Sequence, residues 1–400
     1  MDMLPNKTPC YIIDSDIFSE NLSAFRDVFT RYWDGNVSFG YSIKTNHAQV
    51  FLEMARNSGM YAEAVSDDEC SSALAAGYEW DRIIYNGPQK SVKLLMELLA
   101  KECVINFDNE TDLEALKEYV FLGMEVKAKI GLRVNFDLER SCPGETTAGA
   151  EVSRFGFCVE NGDFASAVDA LHLIGVPVSG LHMHYSTKTR SQRVFRQLAK
   201  IAAELIDKYK LHQEIAFVDI GGGFFYGKNV YAQGRPTLDA YAQVITEELK
   251  KILNSKKVEL ILEPGAALIS TAVTYYAKII NQRFIRGVKV LTTDGSRLHV
   301  DPFMTGRNLL YQIICPESDE REQLPQQMIC GSTCMENDRM VYLHDEKELK
   351  YGDLIQCNCV GAYTMGFNSC FINTPPYVYL KKGSNKYLVR DKNQNLLLQL

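Results

Sequence analysis

FGYSIKTNH, residues 39–47, puts a lysine where a strand should stop. Phe39, Tyr41 and Ile43 alternate onto one face, as in a short half-buried strand, and Lys44 stands at its end. A primary amine held at the edge of an apolar environment loses its proton more easily and is then a nucleophile toward carbonyls. The plainer alternative is a solvated charge that marks the strand terminus. How the other strands end decides between the two.

Outward from that segment the chain alternates apolar runs with amphipathic stretches. DLEALKEYVFLG reads as a helix with Leu113, Leu116, Tyr119 and Val120 on one face, and it leads into the strand-like VKAKIGLRVNF. The strand VSGLHMHYS, the helix QRVFRQLAKIAAELIDKY, the strand EIAFVDIGGG, the helix LDAYAQVITEELKKIL and the strand VELILEPG follow in that order. Such alternation over roughly 250 residues predicts parallel βα units, closed as a (β/α)8 barrel or open as a doubly wound sheet. Beyond Pro264 the chain becomes rich in β-branched and aromatic residues with turns between, which predicts an antiparallel β domain. CYIID near the N-terminus reads as a further strand of that domain. SCPGETTAGAEVSRFG, residues 141–156, is expected to be a mobile loop.

A chain of 400 residues accommodates two or three domains, or one barrel with a companion. Its hydrophobic fraction of 46% and charged fraction of 23% are ordinary for a globular protein. A net charge of −7, with no basic stripe, argues against nucleic acid as a partner. No run approaches the ~18 apolar residues of a membrane span. MDMLPNKTPCYIID has no long apolar core of a secretory signal. No membrane partner and a cytoplasmic location are therefore expected. None of the 11 cysteines forms a CxxC pair, and histidines do not cluster beside them, which predicts reduced thiols and no structural metal.

Four strand-like runs end in unusual polar or glycine residues. Lys44 closes the first; His184, Ser186 and Thr187 close LHMHYST; Gly221, Gly222 and Gly223 follow AFVDI; and Glu263 ends VELILE. In a barrel the C-terminal strand ends converge on one mouth, where the active site lies. Three glycines after a strand let backbone N–H groups approach an anion such as a phosphate, although a tight turn alone would also use them. His184 has a core alternative, and Glu263 a surface one. All four ends serve one ligand if it is a phosphorylated aromatic aldehyde: Lys44 for its carbonyl, the glycines for its phosphate, His184 against its ring and Glu263 at the ring nitrogen.

The ordered set YSIKTN, HMHYST, DIGGGF, EPG, GSTCMEND and GAYTMGFN resembles the fold-type III pyridoxal-phosphate decarboxylases, the family of diaminopimelate, ornithine and arginine decarboxylases. The resemblance runs over nearly the whole chain. It implies an N-terminal (β/α)8 TIM barrel of the alanine-racemase type over residues 19–270, and a β-sandwich or β-barrel domain from 1–18 and 271–400. It also implies pyridoxal 5'-phosphate as cofactor, an amino-acid substrate, and a head-to-tail homodimer with shared active sites. Carried over residue by residue, it makes Lys44 the Schiff-base lysine and His184 the ring-stacking histidine. Thr187 and Gly221 to Gly223 fall at phosphate positions, and Arg133 near the cofactor. Glu263 falls beside the pyridine nitrogen, Cys334 is the thiol supplied by the partner subunit, and Tyr363 lies near phosphate and substrate. A carboxylate at the ring nitrogen favours decarboxylation over racemisation, because the protonated ring takes up electrons better. A racemase or epimerase on the same scaffold, and a non-catalytic regulatory homologue, are the competing readings.

The chain departs from that pattern in three places. Ala266 follows EPG where the family has a phosphate-binding arginine, and Ser186–Thr187 replaces glycine–serine. Met335 follows the motif cysteine where the family has an acid that recognises the far amine of a basic substrate, with Glu336 displaced by one residue. Methionine accepts no useful hydrogen bond from an ammonium. That loss disfavours lysine, ornithine or meso-diaminopimelate by about 2–3 kcal/mol. DGSRLHVDPFMTGRNLLY adds Arg297, His299, Asp301 and Arg307. Two arginines suit a substrate carboxylate, unless they are surface residues. The expected substrate is thus a specialised amino acid with a carboxylate-bearing or non-basic side chain, of the kind met in siderophore or other secondary metabolism.

Overall fold

The computed structural model describes residues 4–149, 151–227, 234–315, 320–368 and 370–392. Two compact units emerge: Asn21–Leu268, and Met1–Glu20 together with Ile269–Leu400.

In the first unit eight strands pair in parallel and close on themselves. They are Val37–Ser42, Tyr61–Ala64, Ile83–Tyr85, Val104–Phe107, Lys129–Asn135, Gly180–His182, Phe217–Asp219 and Glu259–Leu262. The last pairs back onto the first, with Leu260 opposite Val37. This is the (β/α)8 barrel, and the open-sheet alternative falls away. A two-residue strand, Phe157–Cys158, lies on the edge of Lys129–Asn135. The barrel interior shows why two of its strands carry glycine. A Cβ on Gly180 would lie 2.3 Å from Phe217 Cζ, and one on Gly131 2.1 Å from Asn106 Oδ1. The Phe217 ring occupies that space and packs in one cluster with Tyr61, Ile84, Val104 and Ile261.

The helices follow the apolar spacing. Glu110–Phe121 buries Leu113, Leu116 and Tyr119, and the Asn109 side chain accepts from Thr111 N at its start. Gln192–Lys208 buries Val194, Phe195, Leu198, Ala199, Ala202 and Ile206, and the Ser191 hydroxyl accepts from Val194 N. A cap of this kind contributes about 1 kcal/mol by satisfying an otherwise orphaned N–H. Within residues 141–156, expected as a mobile loop, Glu145 to Thr147 are bonded to the segment that follows strand Gly180–His182. Thr146 forms a bridge with Thr187, Thr147 N donates to Ser186 O at 3.0 Å, and Lys188 N donates to Glu145 O at 2.8 Å.

The second unit is a nine-stranded sheet that includes Cys10–Asp14, as the N-terminal apolar run suggested. It is rich in antiparallel pairs but not purely antiparallel. Cys10–Asp14 runs parallel to Tyr377–Lys382, and Val288–Thr293 parallel to Gln323–Cys330. Neither alternation nor β-propensity encodes strand direction, which here depends on the long connections.

Candidate active site

Strand Val37–Ser42 passes into a single 3₁₀ turn, Ile43–Thr45, whose middle residue is Lys44. Buried Tyr41 closes the turn by donating its hydroxyl to Asn46 O at 2.7 Å. Across from it, a Cβ on Gly265 would lie 2.3 Å from Thr45 Oγ1, which is why the glycine after Pro264 is required. The turn thus holds Lys44 Nζ against the Glu63 carboxylate, with the Ser42 hydroxyl 3.2 Å away. Ser42 also donates to Glu63.

Glu63 is 1% exposed and Glu263 is 2% exposed. Between them stands Asn86, just past strand Ile83–Tyr85. Its Nδ2 donates to Glu63 Oε1 at 3.0 Å and to Glu263 Oε1 at 2.7 Å. Its Oδ1 accepts from Asn106 Nδ2 at 2.8 Å. On the far side of Glu263 lies His182, with Nε2 3.7 Å from Oε2. His182, Asp219 and Glu263 each bring a donor atom within 4.8 Å of the others. Both His182 ring nitrogens and Asp219 Oδ2 lack a protein partner. Burial, with the Arg133 charge second, holds His182 well below its usual pKa, so the ring is neutral. Burial, then the charge of Glu263, pushes the Asp219 carboxyl well above the carboxylate range.

His184 Nδ1 accepts from Gly222 N at 3.0 Å, so its ring is neutral with the proton on Nε2. Burial, then Arg133, pushes it down to about 3. Arg133 pairs with Asp108 at 3.1 Å, donates to His184 O at 3.4 Å, and lies over the Phe155 ring at 4.4 Å. The glycine turn is built around the histidine: Gly221 has φ +70°, and a Cβ there would lie 2.6 Å from His184 Nδ1. Gly221 N donates to Asp219 Oδ1 at 2.8 Å. Two of the three glycine N–H groups are therefore engaged within the protein, and a Cβ on Gly223 would meet nothing within 4 Å.

Lys44, Glu63, Arg133, His184 and Glu263 line one cavity of about 1260 Å³. Thr187 and the glycines are not in its wall; Ser186 is. Buried groups with unmet hydrogen-bonding capacity, an amine and a separate buried carboxylate in one cavity wall suit a ligand with a carbonyl and a cationic ring nitrogen. The residues fit pyridoxal phosphate. Glu63, Asn86, Asn106, His182 and Asp219 did not figure among the expected residues. The strand-end rule that found Lys44 also covers Glu63 in YAEAVS, Asn86 after IIY and Asp219 after AFV.

The expected residues of the second unit are arranged around a hairpin. GSTCMEND links strands Gln323–Cys330 and Arg339–Lys347 and presents an exposed Cys334. Asp338 ties the turn down, accepting from Thr333 N at 3.1 Å, Ser296 Oγ at 3.1 Å and Arg297 N at 2.7 Å. Met335 is half-buried. Glu336, with its side chain 98% exposed, makes an ion pair with Arg339 at 3.4 Å. Tyr363 is 42% exposed with φ +55°.

Arg297 is not placed as a substrate clamp needs. Nε and Nη2 fork onto Asp301 Oδ2 at 3.0 and 2.9 Å. Nη2 also donates to Arg307 O at 2.7 Å, and Nη1 to Arg339 O and Met340 O at 2.9 and 3.4 Å. A guanidinium has five N–H donors, so none is left for a ligand. Arg307 donates to Val300 O, and His299 accepts or donates at 2.7 Å with Tyr275. Arg297 thus ties this segment to the cysteine hairpin through Asp338, Arg339 and Met340.

Comparison with known proteins bears on the family and the fold. The pyridoxal-binding domain of the pyridoxal-dependent decarboxylases matches residues 16–270. The chain is 25% identical over 398 residues to the diaminopimelate decarboxylase of Bacillus methanolicus, covering 96% of this chain and 91% of that one. It is 26% identical over 406 residues to the same enzyme of Helicobacter pylori, covering 98% and 94%. Among solved structures, the diaminopimelate decarboxylase of M. jannaschii in complex with L-lysine superposes with a TM-score of 0.83 at 22% identity, covering 97% and 90%. The arginine decarboxylase of Paramecium bursaria Chlorella virus gives 0.75 at 18% identity, covering 94% and 97%. At these identities the structures speak for the fold.

Proposed function

The chain belongs to the pyridoxal-dependent decarboxylases, and from that premise we propose that it removes the α-carboxylate of an amino acid whose far end carries no positive charge. The class of enzyme, a pyridoxal-phosphate-dependent amino-acid decarboxylase, follows from the family. The substrate and the residue roles are our reading.

When bound, pyridoxal phosphate supplies the electron sink for the pair released as CO2 leaves. Lys44 offers the amine for its carbonyl, and Glu63, against Nζ, holds the proton that this amine must shed or regain. Glu263 keeps a negative charge at the ring nitrogen. Neutral His184, its Nδ1 already bonded to Gly222 N, presents an uncharged ring face to the cavity. Gly223 and Ser186 are the candidates for the phosphate, with Arg133 supplying positive potential in place of the arginine absent at Ala266. Thr187 keeps a supporting role through its bridge to Thr146. We assign Cys334 of a second copy as the donor that reprotonates Cα, with Tyr363 beside it, in a homodimer that shares its active sites.

The observation that carries the reading is the line Lys44, Glu63, Asn86, Glu263, which joins an amine to two buried carboxylates in the wall of one cavity. Met335 supports the substrate class, since it cannot take the role of an acid toward an ammonium. Arg297, with its donors filled, withdraws support from a carboxylate-bearing side chain, so the proposal keeps only the non-basic part. The test is an assay in heavy water on cofactor-loaded protein, with meso-diaminopimelate, lysine, ornithine and arginine beside neutral amino acids. CO2 release from a neutral member at more than ten times the kcat/KM of any basic one supports the proposal. Preference for meso-diaminopimelate overturns the substrate class and leaves the chemistry intact. Deuterium at Cα without CO2 would make the reaction a racemisation.

A further inference from the structure

Asn86 has one amide nitrogen and two carboxylates within its reach. Glu63 and Glu263 are both buried, and like charges at close range in a dry layer repel one another. Each accepts from the same Nδ2, at 3.0 and 2.7 Å. The orientation of the amide follows from chemistry: an ionised carboxylate only accepts, so the NH2 group must face the two acids and Oδ1 must face Asn106 Nδ2, 2.8 Å away. The backbone fixes the side chain in turn, since Asn86 N donates to Ala64 O at 2.7 Å. At the next residue Gly87, φ +96°, a Cβ would lie 2.5 Å from Val65 O.

We propose that Asn86 is a positioning residue whose neutral double donor bridges the acid beside Lys44 and the acid assigned to the ring nitrogen, offsetting the repulsion between them. Its charged surroundings are Lys44 and Glu69, the latter pushed up to about 7, on the Glu63 side; His182 and Asp219 on the Glu263 side; and Arg133 with Asp108 and His184 across the cavity. Among the described residues, only Lys44 brings a positive charge into contact with either acid, and it meets Glu63. Glu263 meets no such cation; Asn86 Nδ2, at 2.7 Å, and the carboxyl of Asp219, pushed well above the carboxylate range, are the groups that can donate to it. The inference rests on the assignment of Lys44 and Glu263 to the cofactor, but its test does not require turnover.

Asn86→Asp keeps the shape and replaces the donor by a third acid. Full-length protein is melted at about pH 5.5 and about pH 8, with saturating pyridoxal phosphate and again after its removal. The expected result is a loss of Tm that is greater at the higher pH by roughly 3 °C or more. Glu263→Gln added to Asn86→Asp should shrink that difference, because one of the three acids is then gone. A packing defect lowers Tm equally at both pH values and ignores Glu263→Gln; that outcome overturns the proposal. If Asn86→Asp does not fold, Asn86→Ser retains one donor for two acceptors and should show the same pH-dependent loss, smaller in size. A pH-independent loss in Asn86→Ser likewise overturns it. Failure of decarboxylation with the melting pattern intact would count against the proposed function and not against Asn86.

Discussion

Replacing Arg297 separates scaffold from substrate clamp. Arg297 is 8% exposed and Asp301 is 2% exposed. Removing the guanidinium strands a buried carboxylate whose Oδ2 keeps only Gly306 N, at 3.1 Å. Against burial, which alone would push it up, bonds from Thr305 and Arg297 hold the Asp301 carboxyl below its usual range. Breaking a buried pair from one side costs about 3–5 kcal/mol. At roughly 2–4 °C per kcal/mol for a unit of this size, Arg297→Met should lower the Tm of the β unit by roughly 6–20 °C. Arg297→Lys keeps the charge but offers three donors from a single atom, so it should recover part of the loss. Adding Asp301→Asn to Arg297→Met removes the stranded charge and should be less damaging than the sum of the single changes, with a coupling of about 0.5–3 kcal/mol. Calorimetry on the parent, the three single variants (Arg297→Met, Arg297→Lys and Asp301→Asn) and the double variant measures this, with KM on the preferred substrate read alongside. If Arg297→Met melts within about 1 °C of the parent while KM rises tenfold or more, the filled-donor reasoning fails and Arg297 contacts substrate.

Other perturbations probe the cavity. Lys44→Ala should abolish CO2 release and the visible absorbance of lysine-bound cofactor, leaving a folded protein by circular dichroism. Burial, opposed by the bond from Val65 N and assisted by the Glu63 charge, pushes Glu69 up from 4.5 to about 7. The folded state then binds its proton more tightly than the unfolded one. Stability from this group is present below pH 4.5 and is lost as the pH rises to about 7. Glu69→Gln should flatten the urea-measured stability profile over that window. Gly221→Ala forces a side chain into φ +70° and within 2.6 Å of His184 Nδ1. It should weaken cofactor retention on dialysis more than it lowers secondary-structure content. Met335→Glu should raise kcat/KM for a basic amino acid about 30-fold or more, from the 2–3 kcal/mol of a charged contact; no gain would remove Met335 from substrate recognition.

Much of the architecture was legible because it rests on local periodicity. Strand–helix alternation marks parallel βα units, and the apolar stripe of Gln192–Lys208 follows from spacing alone. Lys44, His184 and Glu263 were legible as strand ends, and the barrel rule brings such ends to one mouth. Closure was not legible in periodicity, since a closed barrel and an open sheet have the same alternation; the motif resemblance implied it, and the pairing of Leu260 with Val37 bears it out. Strand direction in the β unit was also hidden, since parallel and antiparallel strands share one side-chain period.

Partnership was the other thing that tertiary structure decided. Arg297 and Arg307 read alike in sequence, yet the burial of Asp301 and the nearby carbonyls fill the fork of Arg297. Asn86 reads as an ordinary turn residue; its partner Glu263 lies 177 positions away, and Glu63 lies 23 away. Residue type sets what a side chain can donate or accept. Whether a ligand receives it depends on which protein groups reach it first, and that is set by packing between strands distant in the chain.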